Sequence, residues 1–312
     1  MPSPASDRWG HRLAVALCGA TLVLLIAGGL VTTTGAALAV PDWPTTFGYN
    51  MFLYPWSKMV GGIFYEHSHR LIGAVVGLLT LALALRLWVA EPRRWVRWLG
   101  VLAVGLVTVQ GVLGGLRVVL LKETLAVVHG SIAPAFFALT TVLLVVTSRE
   151  WTAAAPAALR TPDVSLPWLA LLTTGAIYLQ IVFGALLTHF GQWFNEHLAG
   201  AAVVSFLIPA LVLRVLRRHA EHPTLVRPVI WLGGLLGFQL LLGLGAYVGR
   251  FTEVELPVPE FSALAVPVAH RITGAVLLSV SLLLTLRTYR APAVERDSAL
   301  LADRLSPKRV AA

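Results

Sequence analysis

The chain has 312 residues, 57% of them hydrophobic and only 12% charged, with a mean hydropathy of +0.79. Soluble domains average about 45–50% apolar and about 25% charged residues, so a water-soluble globule is excluded. The net charge of +9 does not point to nucleic acid, because the basic residues fall between the apolar blocks in a pattern that reads as membrane topology.

Eight apolar blocks, each about 20 residues and so long enough to cross a bilayer as a helix, lie near 12–34, 67–89, 98–120, 126–147, 167–189, 196–216, 228–249 and 268–289. Runs of this length satisfy their backbone in lipid as helices. The expectation is an all-α integral membrane protein, its eight transmembrane helices forming two pseudo-repeated four-helix bundles. Arg8 and Arg12 precede the first block. Its apolar run, Leu13 to Val31, exceeds that of a cleaved signal, so it reads as a retained span. It carries the one cysteine, Cys18, which excludes an intramolecular disulfide or a CxxC site and reads as a small core residue.

Of the 24 Lys and Arg residues, Lys58, Arg70, Arg117, Lys122, Arg250 and Arg271 fall on one side and the other 18 on the opposite side. By the positive-inside rule both termini are cytoplasmic. The longest cytoplasmic connection, Ser148 to Leu166, divides the chain. The predicted units are residues 1–150, a linker at 151–166, residues 167–290, and a charged cytoplasmic tail at 291–312.

The even-numbered spans share a phrase: a histidine at the outer start of the helix, followed four residues later by Gly or Ala. The pairs are His69/Gly73, His129/Ala133, His197/Ala201 and His270/Gly274. The odd-numbered spans share a weaker one, Gln-x-x-x-Gly, at Gln110/Gly114, Gln180/Gly184 and Gln239/Gly243. The repeating unit is thus a helix hairpin, used four times, and parallel duplication puts equivalent sites at equal depth. A histidine in a membrane helix is costly without a partner. A small residue at i+4 leaves a flat shelf beside it, suited to a wide planar ligand, and histidines on facing helices can grip one metal from both sides.

Two bis-histidine haem sites near the outer face follow. One such histidine alone would read as an interfacial anchor, and small residues recur in membrane helices simply because they pack; four in register outweigh that reading. His11, His219 and His222 read as solvated cytoplasmic residues, and His67 and His189 as outer-face residues that are either substitute ligands or interfacial. No HxxxH or CxxC zinc pattern and no P-loop or dinucleotide glycine motif occurs in the sequence.

The string GGLVTTTGAALAVPDWPTTFG, residues 28–48, followed by Glu66-x-x-His69-Arg70, resembles the haem A synthase family, and the resemblance runs through all eight spans. It implies a polytopic enzyme of the cell membrane that oxidises a methyl group of haem O to the formyl group of haem A, an oxidoreductase acting on a CH3 group for cytochrome oxidase assembly. It implies a substrate haem in the N-terminal half, matched by His69 and His129, and haem b in the C-terminal half, matched by His197 and His270. Haem O synthase, oxidase assembly proteins and an electron donor or acceptor such as quinone are the implied partners. Many members flank the Pro-Asp-Trp-Pro loop with a cysteine pair; here Val40 stands at the first position and Thr45 and Thr46 cover the second. Thr33 stands where an arginine is frequent.

Glu66, one turn before His69, reads as the catalytic carboxylate, stabilising a cation-like species or taking a proton, against the plainer reading of a helix N-cap. Arg70, Arg271 and Arg117 read as contacts to haem propionates or the haem edge, against interfacial snorkelling. The competing function is a bis-histidine di-haem b electron-transfer protein linked to quinone; a transporter ranks last, because the spans are uninterrupted at the midplane.

Overall fold

Backbone hydrogen bonding carries each apolar block further than hydropathy alone marks it. The computed structural model describes residues 7–153 and 163–290. Its helices are α1 (Arg8–Thr33), α2 (Gly62–Ala90), α3 (Arg94–Leu120), α4 (Glu123–Val146), a short α5 (Arg149–Ala153), α6 (Ser165–Phe190), α7 (Phe194–Arg218), α8 (Pro223–Phe251) and α9 (Pro259–Arg290). All but α5 are long and apolar enough to cross a membrane; this is an integral membrane protein with eight spans. The expected tail and most of the expected linker, 154–162, lie outside the described residues.

The starts of α2 and α9 differ most from expectation. Helix α2 begins at Gly62 and α9 at Pro259, where a proline is pre-set for the first helical position. Hydropathy marks the hydrocarbon region only, whereas the helices continue through the interface. His69 and His270 therefore sit well inside their helices and not at the ends.

Within α1–α4 the packing order is α1 on α2, α2 on α3, α3 on α4 and α4 back on α1; α6–α9 close in the same cyclic order. The two rings meet where α4 and α1 lie against α9 and α4 lies against α6. Each ring has its own apolar core, and Leu282 and Leu286 of α9 pack against the first core while Ala138 of α4 belongs to the second. Lipid removes the hydrophobic drive between helices, so small residues and side-chain hydrogen bonds hold them together. Thr174 of α6 bonds Ser281 at 2.7 Å and Thr285 at 2.9 Å on α9, contacts worth about 0.6–2 kcal/mol each in membranes.

The basic end is tied by ion pairs across helix termini. Asp7, which caps α1, accepts two hydrogen bonds from Arg86 at 2.8 Å. Glu91 pairs with Arg93, which also reaches the Val146 carbonyl. Asp163, at the start of α6, accepts from Arg214 at the end of α7 and lies 3.2 Å from His219 Nε2. His219 and His222, expected in solvent, are 0% and 8% exposed. The turn between α7 and α8 folds His219 inward onto Asp163, a tertiary partner with no sequence signature.

Hydrogen bonds from the Arg214 guanidinium, with those of His219 and Ser165, hold the Asp163 carboxyl well below the usual carboxylate range against the opposing effect of burial. Asp163→Asn is expected to lower stability by about 2–3 kcal/mol, less than a fully buried pair because Arg214 keeps some exposure. Thermal unfolding in detergent measures it. A depressed native value stabilises above the unfolded one, so the gap is full above about pH 4 and closes as pH falls further through the native value.

Candidate functional site

At the opposite end the long connection between α1 and α2 folds over the bundle because Asp42 organises it. Its carboxylate accepts from the Thr45 hydroxyl at 2.5 Å, the Phe47 N–H at 2.7 Å and the Gly48 N–H at 2.8 Å. Burial raises the affinity of this carboxyl for a proton, but those three donors outweigh it and hold the group below the ordinary value. Gly48 adopts φ +77°, a turn conformation open to glycine.

Helix α2 clamps the loop from below. Glu66, 4% exposed, accepts from the Val40 N–H at 2.9 Å and from Arg70 at 2.7 Å. Arg70 donates further to the carbonyls of Val40, Asp42 and Thr45. The plain reading of Glu66 as an N-cap is set aside, since α2 is capped at Gly61. His67 is buried, with Nδ1 3.1 Å from the Thr46 hydroxyl and its ring against Tyr54, which makes it a loop anchor. Trp43 lies flat on Gly115 of α3, where any side-chain carbon would overlap the indole.

The four predicted histidines meet two by two. The ring centroids of His69 and His129 are 6.4 Å apart, and those of His197 and His270 are 6.3 Å apart. An imidazole nitrogen lies about 1.2 Å from its ring centre and about 2.0–2.1 Å from a bound metal ion, so two rings on opposite sides of one metal have centres about 6.4–6.6 Å apart. The spacing fits a haem iron in each pair.

Sequence reasoning found the histidines and missed what supports them. Each is backed by a glycine of the preceding helix: a Cβ at Gly28, Gly114, Gly184 or Gly243 would stand 3.1, 3.3, 3.2 or 3.1 Å from Cε1 of His69, His129, His197 or His270. The same ring edge faces the backbone one turn earlier, at Leu24, Gln110, Gln180 and Gln239. The signal was present as the Gln-x-x-x-Gly phrase, whose Gly is the backing residue in three hairpins. The glutamine amides also reach the histidines: Gln110 donates to the His129 carbonyl at 3.1 Å, and Gln180 donates to the His197 carbonyl at 2.8 Å and lies 3.1 Å from its Nδ1. Gln239 Nε2 lies 3.3 Å from His270 Nε2, so the amide must move aside for a metal at that nitrogen.

The three arginines separate. Arg70 is committed to Glu66 and the loop carbonyls. Arg271 crosses to α1, donating to the Gly29 carbonyl at 3.3 Å and the Thr33 hydroxyl at 3.0 Å. Arg117 is half-buried and makes no hydrogen bond or ion pair among the described residues. His189 joins neither ring pair; its Nδ1 is 3.8 Å from Glu123, and the ring stands beside Gly130 of α4.

The family model described as cytochrome oxidase assembly protein matches residues 11–195. The chain is similar to the heme A synthase of Geobacillus kaustophilus (strain HTA426), 26% identical over 89% of this chain and 92% of that protein. It is also similar to the heme A synthase of Shouchella clausii (strain KSM-K16), 36% identical over 35% of each.

Replacing Gly115 with Ala is expected to lift Trp43 and loosen the loop by about 1–3 kcal/mol. Limited chymotrypsin digestion in detergent should then cut between Phe47 and Tyr54 faster than in the parent. Gly111→Ala, where a Cβ meets open space, leaves the rate unchanged.

Proposed function

The chain belongs to the cytochrome oxidase assembly protein family, and we propose that within it this protein is a haem A synthase, oxidising the C8 methyl of haem O to a formyl group. The observation that carries the reading is the pair of facing imidazoles in each ring of helices, spaced for one iron between them. His69 and His129 hold the substrate haem O, and His197 and His270 hold haem b. The like cyclic packing of α1–α4 and α6–α9 supports two halves descended from one four-helix unit, one for each haem. Both termini are cytoplasmic and the haem sites lie toward the outer face of the cell membrane. Haem O synthase, oxidase assembly proteins and an electron carrier such as quinone are the proposed partners.

Oxidation of an unactivated methyl needs redox chemistry that side chains lack, and the haems supply it. The protein's own residues bind, orient and exclude water. Glu66 stands one turn before His69 on a similar helix face, so its carboxylate is placed to stabilise positive charge or hold a proton at the substrate edge. Arg70 pairs with it and the loop covers both, which keeps the carboxylate out of solvent while the loop is closed. Arg117, whose guanidinium makes no hydrogen bond or close ion pair among the described residues, is the best propionate seat of the three arginines; Arg271 meets a propionate only by sharing its contacts to α1.

The test is to purify the protein from a host that makes haem O and identify the extracted cofactors by chromatography with mass detection. Haem b together with haem O, haem A or the hydroxylated intermediate is the expected result. Haem b alone would replace this reading by a di-haem b electron carrier. Glu66→Gln is expected to retain both haems with unchanged low-spin spectra while product falls at least about 100-fold, the scale of a lost acid–base group. Full conversion in that variant removes Glu66 from the chemistry.

A further inference from the structure

Three hairpins place a glutamine four residues before the glycine that backs the ligand; in the first hairpin, that place is Leu24. The equivalence is spatial as well as sequential. A Cβ at Gly274, four residues after His270, would have Gln239 Nε2 as its nearest neighbour at 3.6 Å. A Cβ at Gly73, four residues after His69, would have Leu24 Cδ1 at 3.9 Å. His129, His197 and His270 are each touched on the ring or carbonyl by a glutamine amide. His69 has no such amide contact; its Nδ1, like those of His129 and His270, is buried without a hydrogen bond, so the missing glutamine alone sets it apart.

The glutamines are not there for their own satisfaction. Each of the three buries an Oε1 that has no partner, a cost of the kind tolerated where a polar group serves a site. An amide against a ligand imidazole or its carbonyl restricts ring and helix together, and outer-shell contacts of this kind change metal affinity about 10–100-fold. Hydrocarbon at the same place restricts neither.

We propose that Leu24 makes His69 the labile ligand of the molecule, and that Gln110 and Gln180 are positioning residues that hold His129 and His197. The inference rests on the reading that the His69–His129 pair receives a haem that must enter and leave, whereas the His197–His270 pair keeps its haem. One ligand without an amide brace opens the first site for exchange, and His129, pinned through its carbonyl by Gln110, stays in place to guide the haem.

Haem transfer from the full-length, haem-loaded protein in detergent to excess apomyoglobin reads the release rates. Two phases are expected, the faster from the first pocket. Leu24→Gln slows the faster phase about tenfold or more and shifts the midpoint potential of that haem; Leu24→Met, of similar size and without an amide, changes neither. Gln180→Leu accelerates only the slower phase, and it decides the matter alone if the Leu24→Gln protein does not assemble. A fast phase that Leu24→Gln leaves unaltered, or a slow phase indifferent to Gln180→Leu, overturns the inference. Extraction of haem b alone would instead overturn the assignment of haem O to the first pocket, leaving the comparison of phases to stand or fall separately.

Discussion

An imidazole inside an apolar helix costs free energy until its nitrogens are bonded, and that constraint orders the centre of this molecule. Four such rings converge in two pairs, and a metal held between them, as proposed, would satisfy them. The backing glycines follow from the same requirement. Only a residue without a Cβ lets the neighbouring helix come close enough to hold the ring edge at van der Waals distance, and this happens at Gly28, Gly114, Gly184 and Gly243 alike. Rings so confined present a fixed spacing, which is what the proposed haem binding would ask of them.

The loop above the first pair obeys a second economy. Where many relatives in the resembling family have cysteines, this chain has Val40 and the threonines at 45 and 46, and each is bonded. Val40 donates to Glu66 and accepts from Arg70, Thr45 caps Asp42, and Thr46 meets His67. Polar contacts from the loop to α2 thus fix the segment that a covalent bridge would otherwise fix. The consequence is that Glu66 and Arg70, one turn apart on the helix that carries His69, close the loop, and the proposed chemistry falls on this same structural pair.

Hydropathy and spacing made the eight spans and the four histidines legible, because lipid enforces helix length and because four recurrences in register exceed packing coincidence. Helix ends were not legible in the same way. The residues from Gly62 to Glu66 and from Pro259 to Pro267 are too polar or too rich in proline to read as membrane, yet they continue the helices that begin there. His219 looked solvated beside Arg217 and Arg218, and only the fold brings Asp163 to it. The Gln-x-x-x-Gly phrase was visible as a repeat, but its service to the histidines depends on which faces of adjacent helices meet, and sequence periodicity does not assign that.

The seam between the two rings of helices shows why neither pair of histidines is mechanically isolated. Gly28 and Gly29 are adjacent on α1 and face different halves: Gly28 backs His69, while a Cβ at Gly29 would press on Val268 of α9 at 3.2 Å. Two residues beyond Val268 is His270, and the next residue, Arg271, bonds the Gly29 carbonyl and Thr33. An arginine at 33 would set like charges against Arg271; the threonine found there accepts from it instead. Across the seam His189 of α6 stands beside Gly130, the neighbour of His129. Each half therefore touches the residue next to a ligand, or next to a ligand's support, in the other. Packed interiors transmit displacement and do not absorb it, so any shift of α9, as would accompany the proposed loading of the second pair, would reach α1 at the glycine beside the one that backs His69.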